Sequence, residues 1–520
     1  MIYLHFGNHF SLAKLIIRMH GFERAGHRGP DKGCIEMASQ VPPEVLHLLN
    51  HPDGKFLLVK GKAGTGKTMF CLELIRECGG LYVSTRINAE RLYEDTPGLE
   101  EAVPPDFIMD AAAEVDENIL KDFLKDTPAK DEKKKSVMND MPLPPLFKRI
   151  LEKVEVAQIP FVVVIDSWDA IFAFSDVQKS GGVKGWTRDE LRTMVINAFR
   201  SRAVNLVMVE EGDTDTQMDF LVDGVIEFKR EKWNDRIVRT MHLRKMRGTE
   251  IWNPEYLYTL HNGRFHYFEP FVPKIPARPK KWKAIPDTEA RFSSGSDDLD
   301  RLLGGGFKKG STILLDVGGG VPDAALEQLI CQMTANFISQ GRALMMVSPG
   351  VLDIQAFAQR MHRDLGESEF NDLAKIVEKG GNPIVKDRPY IHSMKFENLR
   401  QDFNDWMYIY RAIRQKTGQA ILEVIGIDTQ EARYGEDVYK EFLSVSSEVT
   451  RNEGNLTIRV TRPGMASLTR RCANVSDVYL RMVELNGAVV LYSEKPRSSL
   501  YYMDTEASGG NIRITLDPIV

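Results

Sequence analysis

The residues Gly61-Lys-Ala-Gly-Thr-Gly-Lys-Thr68 satisfy the spacing G-x-x-x-x-G-K-[ST] in full, a spacing suited to gripping a nucleoside triphosphate. Its glycines let backbone N–H groups converge on phosphate oxygens with no side chain between, and a helix starting behind them adds its positive end. The expected ATP site is therefore Gly61, Lys62, Ala63, Gly64, Thr65, Gly66, Lys67 and Thr68. Lys67 would neutralise the β- and γ-phosphates, and the Thr68 hydroxyl would ligate Mg²⁺. The second magnesium ligand is expected at Asp166, which closes the apolar run Phe161-Val-Val-Val-Ile165; the plain alternative is a helix cap, a role open to Asp166 and Asp169 alike. Hydrolysis also needs a group that orients water at the γ-phosphate, and Glu210 and Glu211, just past the run ending at Val209, are the candidates. A solvated strand end is the competing reading of that pair.

The elements that must position these groups are legible around them. Phe56-Leu-Leu-Val59 reads as a buried strand running into the glycine loop. Phe70, Cys71, Leu74, Ile75 and Cys78 recur at helical spacing, Gly79-Gly80 would end that helix, and Leu81-Tyr-Val-Ser84 begins another strand. Strand, loop, helix, strand is a βαβ unit and implies a parallel sheet. Residues 105–142 break the pattern with a charged stretch around Lys133-Lys-Lys135 and read as an exposed insertion. Leu146, Phe147, Ile150, Leu151 and Val154 restore helical periodicity, residues 176–188 read as a mobile loop, and Val222 to Thr249 alternate as an edge hairpin turning near Asn234-Asp235.

The second half repeats this outline. Residues 272–288, rich in proline and base, read as a linker. A glycine run after Ile313-Leu-Leu-Asp316, a helix, Ala343-Leu-Met-Met-Val347 and the run Ile421–Ile427 ending in Asp428 follow in the same order, and Asn486-Gly487 marks a hairpin. The fold class expected is α/β, with two tandem RecA-like domains whose central, mostly parallel sheets are flanked by helices. They span residues 37–271 and 289–520. Residues 1–36 fit neither and read as a disordered extension or a start assigned upstream of Met37.

Composition narrows the field. The 520 residues exceed one core, and 43% hydrophobic with 27% charged residues suits a soluble globular chain. A formal net charge of −5 gives no overall attraction to nucleic acid or anionic membrane. Five scattered cysteines (Cys34, Cys71, Cys78, Cys331 and Cys472) form no C-x-x-C pair, which argues against zinc and for reduced thiols in the cytoplasm. No apolar run reaches the roughly 20 residues that span a bilayer.

The loop Gly61–Thr68, the strand end Val164-Ile-Asp-Ser167 and Lys245-Met-Arg-Gly-Thr249 together resemble the KaiC and RadA branch of the RecA superfamily of P-loop ATPases. Ser294-Gly-Ser-Asp-Asp-Leu-Asp-Arg-Leu-Leu-Gly-Gly-Gly-Phe307 resembles the entry to a second KaiC-type domain. Leu81-Tyr-Val-Ser-Thr-Arg86, Leu243-Arg-Lys-Met-Arg-Gly-Thr-Glu-Ile251 and Tyr492-Ser-Glu-Lys-Pro-Arg497 are similar to passages of the archaeal gas vesicle GvpD family. The branch implies that Lys245 and Arg247 reach a neighbouring subunit's γ-phosphate, hence a homo-oligomeric ring, a hexamer by that likeness. The GvpD likeness implies a regulatory ATPase or nucleotide switch with a transcription regulator as protein partner.

Two departures from the branch matter. The adjacent glutamates that KaiC-type domains carry after the second strand are replaced by Ser84-Thr85-Arg86, which implies slow turnover or a pure binding switch. In the second half Asp316-Val-Gly-Gly-Gly-Val-Pro-Asp323 has neither lysine nor Ser/Thr at the phosphate-loop position, so that domain reads as degenerate. Two other functions compete. A RadA-like DNA recombination or repair mediator would use Lys179, Lys184, Trp186 and Arg188 against single-stranded nucleic acid, and a scaffold would bind ATP without turnover.

Overall fold

A computed structural model describes residues 39–96, 98–111, 145–155, 161–172, 188–379, 388–507 and 509–520. The expected extension 1–36, residues 112–142 of the expected insertion, and Lys179, Lys184 and Trp186 lie outside them. Gln40–Val520 forms one compact unit.

Among the described residues its first half is built on nine strands: β1 (Phe56–Gly61), β2 (Leu81–Ser84), β3 (Ile108–Asp110), β4 (Val162–Asp166), β5 (Asn205–Glu211), β6 (Gly224–Trp233), β7 (Arg236–Met246), β8 (Glu255–Thr259) and β9 (His266–Tyr267). The sheet order is β3-β2-β4-β5-β1-β6-β7-β8-β9. Neighbours are parallel from β3 through β6 and antiparallel from β6 onward. The unbroken apolar runs take the central places because helices cover both sheet faces there. Phe56, Leu57, Leu58 and Val59 are all fully buried, each worth roughly 1.5–3 kcal/mol relative to exposure. Helix α1 (Lys67–Cys78) packs Phe70, Leu74 and Ile75 on one face. Helix α2 (Pro145–Glu155) packs Phe147, Ile150 and Leu151 on the other. Helix α1 ends as the glycine pair predicts, with the Gly79 N–H donating to Ile75 O.

Three expectations change. The insertion begins later than residue 105, because Ile108–Asp110 is itself a strand and pairs with β2. The hairpin β6–β7 is not at the sheet edge, since β8 and β9 extend the sheet beyond it. Glu210 and Glu211 are not past a strand but inside β5, so their side chains leave opposite faces.

The second half has ten strands: β12 (Ser311–Val317), β13 (Ala343–Val347), β14 (Ala374–Lys379), β15 (Ile391–Met394), β16 (Ile421–Gly426), β17 (Leu456–Thr461), β18 (Val478–Leu485), β19 (Ala488–Lys495), β20 (Tyr501–Glu506) and β21 (Arg513–Pro518), after a short β10–β11 pair (Arg291–Phe292 and Phe307–Lys308). Their order, β15-β14-β13-β16-β17-β12-β18-β19-β20-β21, repeats the first sheet with one strand added at the edge. The tandem duplication is thus present in topology.

The two halves share an apolar cluster. Val238, Leu257 and Phe268 pack with Val490, Tyr492, Tyr502 and Ile519, and Phe268 stacks on Tyr502 with ring centroids 4.3 Å apart. Arg236 lies over the Tyr492 ring and donates to the carbonyls of Ser493 and Ser498. Residues 272–288 carry no helix or strand. Trp282 within them is buried against helix α3 (Asp323–Ile338) and donates from Nε1 to Asn336 at 3.2 Å.

Candidate functional site

Parallel strands deliver their carboxyl ends to one edge, and open α/β sheets bind ligands at that edge. Here Gly61 ends β1, Glu211 ends β5, Asp166 ends β4 and Ser84 ends β2. Because β5 stands between β1 and β4, the phosphate-loop turn and Asp166 are separated by one strand, and helix α1 bridges the gap.

The turn from β1 into α1 has the backbone that its glycines predict. Gly64 and Gly66 have φ of 75° and 98°, left-handed values that strain any side chain. Gly66 is also closely approached, since a Cβ there would stand 2.8 Å from Leu260. No side chain caps the start of α1, so its first N–H groups are available to an anion. Thr65 is buried and braces the turn by donating to Lys62 O at 2.8 Å.

Lys67 is 6% exposed, and its Nζ lies 2.6 Å from Gly61 O, 3.0 Å from Lys62 O and 3.3 Å from Glu211 Oε2. Thr68 donates to Asp166 Oδ2 at 2.6 Å, and Tyr82 donates to the same oxygen at 2.7 Å. Burial, reinforced by Asp166, holds the Tyr82 phenol well above its ordinary range, so it stays a donor. The neighbouring Cys71 thiol is likewise pushed up by burial and then by Asp166, which leaves it inert. A hydroxyl and a carboxylate in contact suit a hard cation such as Mg²⁺, which takes few protein ligands and completes its shell with phosphate and water. No cluster of three or more His, Cys, Asp or Glu suited to a metal occurs among the described residues.

The two glutamates part company. Glu211 points to the loop, pairing with Lys67 through one oxygen and with Arg86 at 3.2 Å through the other. Its backbone N–H donates to Asp169. Glu210, 3% exposed, faces Arg192 at 3.8 Å and accepts from Thr216 at 3.4 Å. Burial and then Asp169 raise its pKa above the usual carboxylate value. In the Ser84-Thr85-Arg86 stretch, Thr85 fastens to both the N–H and the carbonyl of Ser167, whereas Arg86 enters the site through Glu211.

Lys245 and Arg247 lie elsewhere. Met246 pairs with Gly224, and Gly224 with Leu57 at the start of β1. The four residues to Gly61 put them about 13 Å along the sheet from their own phosphate loop. Lys245 Nζ donates to Asp219 O at 2.8 Å and Val222 O at 2.7 Å, and burial, then the Arg247 charge, lowers its proton affinity. Arg247 is more exposed and lies 3.6 Å from Asp223. The register slips between Val225 and Ile226, and β7 ends at Met246, so Arg247 belongs to the turn.

Sequence reasoning missed the residues that brace the loop from behind. Arg239 Nη1 donates to Gly64 O at 3.0 Å while its Nε donates to Val520 O at 2.5 Å. Tyr258 donates to Thr65 O. These come from β7 and β8, far along the chain, and nothing in their local spacing signals a phosphate loop.

The corresponding turn of the second half is closed to phosphate. Asp316 is 3.0 Å from both Arg481 and the Tyr479 hydroxyl, and Asp323 pairs with Arg462 at 3.1 Å. A Cβ on Gly320 would stand 2.9 Å from Glu484 Oε2. Three carboxylates thus border it, two of them paired with Arg481 and Arg462. Asp428 accepts the N–H groups of Gly350 and Thr429.

Residues 46–247 match the family described as GvpD gas vesicle protein, P-loop domain, and residues 281–520 match GvpD basic region 2. Protein GvpD2 of Halobacterium salinarum is 26% identical over 510 residues, covering 93% of this chain and 97% of that protein. Protein GvpD1 of the same organism is 24% identical over 541 residues, covering 92% and 96%. The circadian clock oscillator protein KaiC of Picosynechococcus is 26% identical over 305 residues, 56% of this chain and 54% of that one.

Proposed function

We propose, from the premise that this is a GvpD-like chain with a KaiC-like P-loop domain, that it is an ATP-operated regulatory switch. ATP with Mg²⁺ would sit at Gly61–Thr68, and its presence would set assembly or partner binding. The observation that carries the reading is the 2.6 Å contact of Thr68 with Asp166 beside an uncapped helix start. Two magnesium-ligand types, a hydroxyl and a carboxylate, meet there.

Binding asks each residue to exchange a partner. Lys67 would leave the carbonyls of Gly61 and Lys62 for phosphate oxygens, and the amides of the turn would close on the same group. Thr68 and Asp166 would hold Mg²⁺, which would offset the phosphate charge. Glu211 is the better candidate to orient water, being at the loop and partly exposed, whereas Glu210 is sealed on the other face. Both oxygens of Glu211 are already paired, with Lys67 and Arg86, so water must compete for them, which fits slow hydrolysis. Arg247, about 13 Å along the sheet from its own loop, would meet a neighbour's nucleotide in a ring. A transcription regulator is the protein partner expected of such a switch, and the cytoplasm its place. No described helix is long and apolar enough to cross a membrane.

The test combines calorimetry with light scattering on the purified chain, with and without Mg·ATP. We expect saturable heat and a nucleotide-dependent rise in mass, both lost in Lys67→Ala. No heat from the unmodified chain would sink the reading. Heat without phosphate release above the Lys67→Ala background in a single turnover would reduce it to an ATP-bound scaffold.

A further inference from the structure

Arg86 stands at the level where a terminal phosphate would arrive. Across the sheet, Ser84 of β2 pairs with Asp166 of β4, and Asp166 pairs with Val209 of β5. Arg86 and Glu211 therefore lie two residues beyond one common level, on either side of the expected magnesium ligand. Strands β2 and β5 are two places apart in the sheet, roughly 10 Å. The Arg86 guanidinium crosses that span to reach Glu211 Oε1 at 3.2 Å. The other oxygen of Glu211 holds Lys67 at 3.3 Å. One carboxylate thus stands between the phosphate-loop lysine and a second cation, which the motif Gly61–Thr68 does not include.

The backbone that carries Arg86 is fixed. Thr85 donates its N–H to Asp166 O at 2.8 Å, and its hydroxyl accepts from the Ser167 N–H and donates to the Ser167 carbonyl. Ser84 Oγ donates to Ile87 O, and Asn88 caps the helix Ala89–Asp95. The side chain itself is 49% exposed, and among the described residues its one hydrogen bond runs from Nη1 to Glu211. A guanidinium offers five N–H donors in a planar fork, so the edge formed by Nε and Nη2 is left to offer. Exposed ion pairs contribute little to stability, so the fold does not account for a cation held at this place. When Lys67 turns to phosphate, Glu211 loses a counter-charge on the side where negative charge arrives. A guanidinium beside both anions offsets their repulsion.

We propose that Arg86 is a γ-phosphate sensor supplied by the same subunit. Its Nε and Nη2 take the terminal phosphate of ATP while Nη1 keeps Glu211, and the site thereby selects the triphosphate over the diphosphate. This rests on nucleotide occupying Gly61–Thr68, and it is separate from Arg247, whose phosphate would belong to a neighbour.

The test is calorimetry of the full chain with Mg·ATP and with Mg·ADP. We expect ATP to bind at least tenfold more tightly than ADP, about the least that a charge-assisted contact contributes. Arg86→Gln should cut that preference about tenfold through ATP alone, with ADP affinity changed by less than about twofold. Arg86→Lys should restore part of it. The change should persist when Arg86→Gln is made beside Glu211→Gln, because the contact is to phosphate and not routed through the carboxylate. Equal affinities in the unmodified chain, an unaltered ratio in Arg86→Gln, an equal loss of both nucleotides, or an effect that vanishes beside Glu211→Gln would each overturn the sensor and leave ATP binding standing. No heat with either nucleotide would remove the site, and the sensor with it.

Discussion

Lys67 spends its three donors on two carbonyls and Glu211, so a triphosphate must compete with contacts already made. Thr68 and Asp166 are engaged with each other and with Tyr82 but with no cation of the chain, and their substitution reads the metal site more directly. Thr68→Ala or Asp166→Asn should weaken Mg·ATP binding by roughly 10- to 100-fold, the range of one charge-assisted contact. The same variants should change binding of ATP in EDTA far less, which calorimetry in the two buffers checks. The glutamate pair gives a second prediction. Glu211→Gln should abolish the slow phosphate release while ATP still binds, and Glu210→Gln should leave release intact. Glu210→Gln should act on stability instead. A carboxyl whose folded value is raised stabilises the fold below the ordinary carboxylate range and loses that contribution as pH rises through the raised value. Removing its charge should therefore raise the melting temperature by roughly 2 °C near pH 8 and give no gain near pH 4.

At the scale of elements, the glycine loop was legible because its chemistry is local: one strand, one turn and one helix start carry all eight residues. The central strands were legible because burial on both faces leaves unbroken apolar runs, as at Val162–Ile165. Glu210 and Glu211 were harder, since only strand pairing reveals that β5 continues to Glu211 and divides them between faces. Arg239 and Tyr258 were out of reach altogether, as their role comes from a sheet that curls β7 and β8 behind the loop. Ile108–Asp110 was missed because three residues are too few to show a period, and an edge strand is fixed by its neighbour β2. The close packing behind the loop carries a prediction of its own. Gly66→Ala places a methyl against Leu260 and demands a left-handed backbone from alanine. It should cost about 1–3 kcal/mol of stability and lower ATP affinity as well, read by chemical denaturation and calorimetry on one sample.

At the scale of the whole molecule, a ring would bring Arg247 to a neighbour's loop, while Lys245 is held by carbonyls of its own chain. Arg247→Ala should lower nucleotide-dependent assembly or turnover by at least tenfold with ATP affinity of the isolated chain unchanged. Lys245→Ala should chiefly loosen the Asp219–Val222 segment, seen as faster amide exchange there. The two halves also meet through Arg239, one guanidinium bonded at once to the Gly64 carbonyl and to Val520. Shared ownership of a donor imposes reciprocity: whatever factor nucleotide adds to the grip on residues 513–520, that grip returns to nucleotide affinity. A molecule pulling on the last strand would then be felt as a change in ATP dissociation, with no contact to the triphosphate at all.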